Sequence, residues 1–356
     1  MTTLFPASVV GSMPRPRFVR ELIAGEPPLS AEDYEAAMGA AVRYVVALQE
    51  HAGLDVITDG EWRRKSYIGV IADLAHGFEL SRNPQDGRPW TVVTEQISPS
   101  NPGFVAAEIR FLRSLTKRKI KATLPAPALL GERLWDPERS ARAYPSRADF
   151  VRDCVPILRR EVELIRDAGA DIVQIDDPHL CLFVDPEVRA AHADPESAMA
   201  FSVDMVNDVV SDIQGVKLAV HLCRRAGARV RGERQHVGDY EAILPSLNRL
   251  EVQHLTMEFT TPGSGDAAVF RGLRDDFEVG LGCVSVVPGC VDTAETIADR
   301  VELAIEHLGA ERITLNPDCG FAPGSGADVD LDEVYVKLRH EVEAARMLRS
   351  RYSDSR

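Results

Sequence analysis

A histidine and a cysteine stand two positions apart in the short apolar stretch VKLAVHLC, which covers residues 216–223. In a β-strand, residues i and i+2 project from the same face, so we expect His221 and Cys223 to lie side by side. Imidazole nitrogen and thiolate sulfur together favour a soft divalent metal, with zinc as the leading choice. The spacing predicts half of a metal site, which needs further ligands from elsewhere in the chain.

Two later segments supply candidate ligands. Glu258 lies in the apolar run at 255–259, and Cys319 follows the run at 312–316. One histidine, two cysteines and a displaceable carboxylate leave a position open for an incoming ligand, as catalytic zinc sites do. A thiol bound there would lose its proton and become a nucleophilic thiolate near neutral pH. The residues indicate a thiol-activating zinc enzyme, with an unrelated barrel hydrolase as the alternative.

Other polar residues admit simpler interpretations. His179 and Cys181 repeat the His-x-Cys spacing, but they follow a strand end, and we expect them to enter a loop or helix. Asp177 and Asp318 suit a helix cap as well as they suit a site. Two further residues are expected to be structural: His254 at the start of a strand and Cys283 in mid-strand.

Eight short β-branched or apolar runs recur along the chain, and most are followed by a helical pattern. They cover residues 7–12, 54–60, 120–125, 171–176, 216–223, 255–259, 277–285 and 312–316. Strand–helix alternation predicts a parallel sheet, and eight repeats predict an α/β fold of the closed (β/α)8 TIM-barrel type. In such barrels the catalytic groups gather at the carboxyl ends of the strands, which is where the candidate ligands fall.

Several helix ends are also readable. Ser30 begins a capping box and opens a helix toward His51, which Gly53 closes. Further helices are predicted over 156–166 and 293–307. The segment from 62 to about 108 is too long for a simple βα unit. We interpret it as an extended excursion after the second strand, with a hairpin strand at 90–97 and a turn at 84–87.

The 356 residues, 45% hydrophobic and 27% charged, are typical of a globular protein with a sizeable core. We interpret residues 1–356 as a single barrel domain. A net charge of −14 argues against nucleic acid and anionic membrane as partners. The six cysteines form no dense framework and the chain begins without a signal-peptide pattern, so a cytoplasmic location is expected. The oligomeric state stays open.

A family resemblance spans nearly the whole chain. The matching stretches are VVGSMPRP at 9–16, GLDVITDGEWRR at 53–64, IKATLPAP at 120–127, VQIDDP at 173–178, HLCR at 221–224, Met257-Glu258 and NPDCGF at 316–321. The sequence resembles the cobalamin-independent methionine synthases, in particular the single-barrel relatives that match their C-terminal catalytic half. NPDCG together with His-x-Cys, in the right order and separation, is the specific part of the match.

The resemblance implies a role for two sets of residues. The first is a zinc site of His221, Cys223, Glu258 and Cys319, the set that the residues themselves indicate. The second set holds the amino acid part of homocysteine: Gly11, Ser12, Glu61 and Asp176. Backbone donors would bind the substrate carboxylate, and the acidic side chains would bind its ammonium group.

The sequence departs from the family at the end of the seventh predicted strand. Methyl-transferring members carry Asp-x-His or Asp-x-Lys there, which helps to protonate the leaving nitrogen of a folate donor. Here Ser285 and Val287 occupy those positions, and neither can act as a general acid. The catalytic acid is therefore unassigned and the methyl donor is open.

Three functional hypotheses follow. The first is a zinc-dependent S-methyltransferase of methionine biosynthesis, acting on homocysteine or a similar thiol with a small-molecule methyl donor. The second is a thiol alkyltransferase or lyase similar to the epoxyalkane:coenzyme M transferases, since an epoxide needs less acid assistance. The sulfonate of such a thiol would need a cation, for which the candidates are Arg15, Arg17, Arg63, Arg64, Arg224 and Arg225. The third is a barrel that has kept its fold and lost catalysis.

Overall fold

A computed structural model of the chain describes residues 3–82, 89–224, 234, 236–322 and 329–353. Within these residues the strands are β1 (Val56–Ile57), β2 (Ala75–Arg82), β3 (Pro89–Pro99), β4 (Lys119–Pro125), β5 (Ile172–Asp176), β6 (Lys217–Leu222), β7 (His254–Glu258), β8 (Glu278–Val284) and β9 (Ile313–Pro317). All but β2 and β3 form one sheet in the order β1-β4-β5-β6-β7-β8-β9, with every neighbouring pair parallel.

The extended chain at residues 6–8 joins the first and last strands of this sheet. Ala7 bridges Leu315 of β9, and Ser8 bridges Val56 of β1, both in parallel. The Ser8 N–H donates to the Leu315 carbonyl at 3.0 Å. The expected (β/α)8 barrel is confirmed, but its first strand is reduced from the predicted 7–12 to two bridging residues.

Interior side chains explain why this first strand is short. The next three carbonyl groups accept hydrogen bonds from side chains and not from a neighbouring strand: Val9 from Lys121, Val10 from Gln174 and Gly11 from Thr58. Because these carbonyls are already bonded, the backbone leaves the ladder after Ser8 and turns across the carboxyl end of the barrel.

The α-helices among the described residues are α1 (Arg17–Ala24), α2 (Ala31–Ala52), α3 (Ile71–Leu74), α4 (Phe104–Leu115), α5 (Pro127–Leu134), α6 (Arg147–Asp167), α7 (Pro178–Leu182), α8 (Pro186–Ala190), α9 (Pro195–Val210), α10 (Leu244–Leu247), α11 (Ala294–Leu308) and α12 (Leu331–Ser353). Short 3₁₀ helices lie at Tyr240–Ile243, Pro262–Ser264, Ala267–Gly272 and Ala310–Arg312. In this part of the chain, no helix combines the length and the apolar character that crossing a membrane requires.

The helix ends follow their capping residues. The predicted cap of α2 is confirmed, because Ser30 accepts the Asp33 N–H and Gly53 ends the helix in the left-handed region. The predicted start of a helix at residue 156 is wrong. Ser146 caps α6 by accepting the Asp149 N–H, so the helix begins at Arg147 and carries Pro156 in its interior.

The excursion after the second strand contains the predicted hairpin. β2 and β3 pair antiparallel, with a bulge between His76 and Phe78. The predicted turn at 84–87 lies outside the described residues. The hairpin rests on the barrel through the indole of Trp90, which donates to the Arg133 carbonyl at 2.8 Å, and through the Tyr144 hydroxyl, which accepts the Ile97 N–H at 2.8 Å.

Candidate active site

One imidazole and two thiols meet at the carboxyl end of the barrel. The ligand atoms of His221, Cys223 and Cys319 all lie within 4.8 Å of one another, and the two sulfur atoms are 3.6 Å apart. His221 and Cys223 are buried, and Cys319 is partly exposed. The structure thus brings together three of the four predicted metal ligands.

Close backbone packing places Cys319 in this cluster. The turn after β9 folds onto Ser12, whose carbonyl accepts the Phe321 N–H at 2.9 Å. A Cβ atom on Gly320 would lie 2.3 Å from the Ser12 hydroxyl oxygen, so any larger residue here would require that hydroxyl to move. Ser12 therefore supports the turn that carries the second thiol.

The electrostatics of the cluster favour a cation. Burial alone would lower the pKa of His221, but Asp176 and Cys319 outweigh this effect and raise that pKa to about 10. The neighbouring Cys319 sulfur, together with burial, raises the pKa of the Cys223 thiol well above its usual range. The Nε2 atom of His221 is buried without a hydrogen-bond partner among the described residues. A soft divalent metal fits this set, because it would replace the proton on His221 Nε2 and the protons on the two thiols.

Glu258, the fourth predicted ligand, is buried at the end of β7 but is not part of the three-residue group. One of its carboxylate oxygens accepts the N–H of Arg224 at 3.0 Å, at the residue directly after Cys223. The negative charge of Glu258 also contributes to the raised pKa of Cys223. Glu258 is therefore a close neighbour of the cluster, and its role as a ligand stays a prediction.

Glu61 brings a carboxylate to the same end of the barrel under backbone strain. Its φ of 58° is in the left-handed region, which side-chain-bearing residues rarely adopt. Its Oε1 atom accepts the Thr123 hydroxyl at 2.6 Å, and a Cβ atom on Gly11 would lie 2.6 Å from that oxygen. Burial raises the pKa of Glu61, and Arg64 only partly offsets this effect. A positively charged group from a ligand would stabilise this carboxylate.

Asp176, predicted to bind substrate, contacts a predicted metal ligand. In the parallel register Asp176 of β5 pairs with His221 of β6. Its Oδ1 atom lies 3.1 Å from His221 Nδ1 and accepts the Gln174 amide at 2.8 Å. Two strands must be aligned before this contact can be recognised, so the linear sequence does not reveal it.

The second His-x-Cys pair and its neighbour form a helix start. Asp177 caps α7 by accepting the Leu180 N–H, as the simpler interpretation predicts. His179 and Cys181 lie in that helix and are not part of the three-residue group. Burial raises the pKa of Cys181 to about 12, which keeps it a neutral thiol.

Asp318 does not cap a helix. It accepts the backbone N–H groups of Phe259 and Thr260, both at 3.0 Å, and so joins the turn after β9 to the end of β7. Burial, together with the charge of Glu258, raises its pKa to about 7. His254 and Cys283 are buried within their strands, as expected of structural residues.

Tyr67 is a neighbour of the cluster that the sequence does not single out. Burial and then the proximity of Cys223 raise the pKa of its phenol. Asp176 and Cys319 also act on this phenol. No spacing signals Tyr67, because its position depends on how the chain folds after Glu61.

Ser285 and Val287, which occupy the positions of the family's acid, lie just after β8 and make contacts within the protein. The Ser285 hydroxyl accepts the Val287 N–H at 3.3 Å, and the Val287 carbonyl accepts Lys337 Nζ at 2.7 Å. Lys337 is buried and paired with Glu333 at 2.8 Å. These contacts hold the loop in place but supply no proton donor through Ser285 or Val287.

A sequence model of a known family, described as "Cobalamin-independent synthase, Catalytic domain", matches residues 5–347. The chain belongs to the cobalamin-independent methionine synthase family. Membership confirms the resemblance seen in the stretches around Glu61, His221 and Cys319, and with it an enzyme of the methyltransferase type.

Curated relatives match this family member over most of their length. The methionine synthase of Sulfolobus acidocaldarius is 26% identical over 331 residues, which cover 90% of this chain and 86% of the relative. The methionine synthase of Saccharolobus solfataricus is 28% identical over 360 residues, which cover 97% of this chain and 95% of the relative.

Solved structures of the family share the fold. The B12-independent methionine synthase from Shewanella sp. W3-18-1, in complex with selenomethionine, superposes with a TM-score of 0.78 at 21% identity, covering 99% of both chains. A putative enzyme of this kind from Listeria monocytogenes gives a TM-score of 0.72 at 22% identity, covering 98% of this chain and 99% of that one. At these identities the likeness supports the barrel fold.

Proposed function

We propose that this enzyme transfers a methyl group to the sulfur of homocysteine, or of a closely similar amino thiol, with zinc held by four residues: His221, Cys223, Glu258 and Cys319. The observation that carries the proposal is the cluster of one imidazole and two thiols within 4.8 Å at the carboxyl end of the barrel. A His/Cys/Cys set of this kind suits zinc, and a displaceable carboxylate would leave a position for the substrate. Zinc bound there would supply a substrate thiolate near neutral pH.

The acidic groups near the cluster support an amine-bearing substrate. Glu61 is buried and strained, and burial raises its pKa although Arg64 lies near, so a further positive charge would stabilise its carboxylate. An ammonium group beside Glu61 and Asp176 would supply that charge, and the backbone at Gly11 and Ser12 would face the substrate carboxylate. In the transfer, the carbon–sulfur bond of the product forms as the bond from the methyl group to its donor breaks, and the thiol proton leaves.

The arginines give little support to the coenzyme M-like alternative. Arg17 and Arg63 form salt bridges with Glu21 and Glu35, each at 2.7 Å. Arg64 is buried against Glu108 at 2.9 Å.

The remaining candidate arginines make contacts within the protein or lie outside the described residues. Arg15 donates to the carbonyls of Glu61 and Arg64, each at 2.7 Å. Arg224 is buried over the ring of Tyr240, 4.2 Å from its centroid. Arg225 lies outside the described residues. Among the described candidates, Arg15 and Arg224 keep buried N–H groups without a hydrogen-bond partner, so these two arginines are what an anionic thiol without an amine could bind.

Calorimetric titration of the zinc-loaded enzyme tests the substrate class. L-homocysteine is compared with 4-mercaptobutyrate, which keeps the thiol and the carboxylate but lacks the amine, and with coenzyme M. We expect homocysteine to bind with release of a proton and 4-mercaptobutyrate to bind about 10- to 100-fold more weakly, since a hydrogen bond to a charged group contributes about 1.5–3 kcal/mol.

Glu61→Gln is the matched variant, because it should remove most of that difference while zinc stays bound. Absence of homocysteine binding, or tighter binding of coenzyme M, would overturn the proposal. A screen of methyl donors with the substrate that binds then identifies the second substrate.

A further inference from the structure

A line of buried polar side chains crosses the barrel interior and ends at the metal cluster. Each contacts the next, and we call them the interior polar chain: Thr314, His254, Thr256, Gln174, Asp176 and His221. The contact distances in that order are 2.9, 3.4, 3.3, 2.8 and 3.1 Å. All are buried except the partly exposed Thr314. The mechanism proposed above uses only the last two members.

The amide of Gln174 has a fixed orientation. Its Nε2 atom donates to Asp176 Oδ1 at 2.8 Å and to the Val10 carbonyl at 3.2 Å. Its Oε1 atom accepts the Thr256 hydroxyl at 3.3 Å. A flipped amide would place oxygen against two acceptors, so only one orientation satisfies all three contacts.

The proton positions along the rest of the chain follow from that orientation. Because the single Thr256 hydroxyl proton goes to Gln174, Nδ1 of His254 must donate to Thr256. Nε2 of His254 then accepts the Thr314 hydroxyl proton. Burial, with Lys121 and Lys217 nearby, lowers the pKa of His254 well below its usual range, which agrees with a neutral ring.

The same reasoning gives the proton position on His221, the histidine of the metal cluster. The Asp176 carboxylate only accepts, so Nδ1 of His221 carries a proton and donates to Oδ1. This leaves Nε2, which has no partner among the described residues, as the nitrogen available to a metal. Histidine ligands of metals are commonly oriented in this way by a carboxylate, which also raises their basicity.

We propose that the interior polar chain positions His221 for zinc, with Asp176 as the orienting carboxylate and Gln174 as the residue that holds Asp176 in place. The inference rests on the proposed zinc site and adds positioning roles for Gln174, Thr256 and His254. It also gives Asp176 a role that exists before substrate binds, beside any contact with a substrate ammonium group.

The positioning role is tested by measuring zinc affinity in the absence of substrate, through competition with a chromophoric chelator. Loss of the residue that directly contacts a metal ligand usually weakens binding about 10- to 100-fold, and we expect Gln174→Leu to approach this range because it releases Asp176, the partner of His221. The cobalt-substituted variant should show shifted visible absorption bands, because a mobile imidazole changes the ligand geometry. The matched control is Ser140→Ala, which removes a buried hydroxyl that donates to the Val93 carbonyl outside the interior polar chain and should change zinc affinity less than threefold.

Asp176→Asn is the second variant, for use if Gln174→Leu does not fold. Its side-chain oxygen can still accept from His221, but the charge is gone, so we expect weaker zinc binding and altered cobalt bands. The inference is overturned if each variant that folds binds zinc within twofold of the wild type with an unchanged cobalt spectrum. Cys223→Ser distinguishes failure of the proposed zinc site from failure of the positioning role. If neither the wild type nor Cys223→Ser retains zinc, the proposed zinc site is wrong and the inference is wrong with it.

Discussion

The two halves of the barrel interior both bury ionisable side chains, but they arrange them differently. Toward the amino ends of the strands, Lys121 of β4 lies near Glu341 of α12, so opposite charges are close together. Lys121 donates to the Val9 carbonyl at 2.7 Å, and Glu341 accepts the Ser8 N–H at 3.0 Å.

At the carboxyl end, similar groups are neighbours. The Cys223 and Cys319 sulfurs are 3.6 Å apart, and Glu258 raises the pKa of Asp318. Protons or a bound cation must compensate such a cluster, because the nearby side chains repel one another once they ionise. Burial of ionisable groups alone therefore does not mark a functional site. The carboxyl end differs in that one imidazole and two thiols lie within ligand distance of one another.

The largest expected effect is loss of metal at the carboxyl end. Cys223→Ser or Cys319→Ser removes one of the two sulfur ligands, and serine binds zinc poorly because its hydroxyl keeps its proton near neutral pH. We expect bound zinc, measured by elemental analysis after mild purification, to fall from about one per chain to a small fraction.

Cys181→Ser is the control for that experiment. Cys181 is also buried near this end of the barrel, but it lies in α7 with a protonated thiol. The zinc content of Cys181→Ser should match that of the wild type. The reverse pattern, with zinc lost only in Cys181→Ser, would mean that the second His-x-Cys pair is the metal site.

An intermediate effect is expected for Glu258→Gln. The variant keeps an oxygen for the Arg224 N–H but loses the negative charge that a fourth ligand would offer. Three ligands remain and water can take the fourth position, so zinc affinity should fall on the order of tenfold with the stoichiometry unchanged. Unchanged affinity would show that Glu258 supports the loop and does not bind the metal.

The parts of the site that the sequence predicts are those set by strand periodicity. His221 and Cys223 share a face because they are two residues apart, and Cys319 lies at the same end because the strands of the barrel sheet run parallel. The contact of Asp176 with His221 depends on the register between two strands, which no local pattern determines.

The errors in the predicted elements have the same origin. The first strand is short because side chains from β4 and β5 bond its carbonyls, and those partners are distant in sequence. The true start of α6 is signalled by Ser146, but Pro156 is the more conspicuous residue and misleads, since proline favours the first helical turn. Tyr67 reaches the cluster only through the fold of the excursion.

The smallest expected effect on metal lies at the other end, in Glu341→Gln. Burial raises the pKa of Glu341 to about 8, although the Ser8 N–H and Lys121 partly offset this effect. Between the ordinary glutamate pKa and pH 8, the folded chain holds a proton that the unfolded chain has released. Stability therefore falls as the pH rises through this window. Glutamine does not titrate, so the variant lacks this contribution.

Denaturant unfolding of both chains at pH 5, 6, 7 and 8 measures the difference. Titrating groups that do not interact with Glu341, such as Glu108, whose pKa burial also raises to about 8, are common to both chains and cancel. Lys121, whose pKa burial lowers to about 8, interacts with Glu341, so any change in its titration is part of the measured difference. The variant should gain free energy of unfolding relative to the wild type from pH 5 to 8, by up to a few kcal/mol, since one pKa unit corresponds to about 1.4 kcal/mol. Its zinc content should not change. A stability difference that stays constant with pH would show that Lys121 fully compensates the charge of Glu341. A loss of zinc would show that the two halves of the interior are coupled through Lys121, because its buried ammonium group also lies near Asp176.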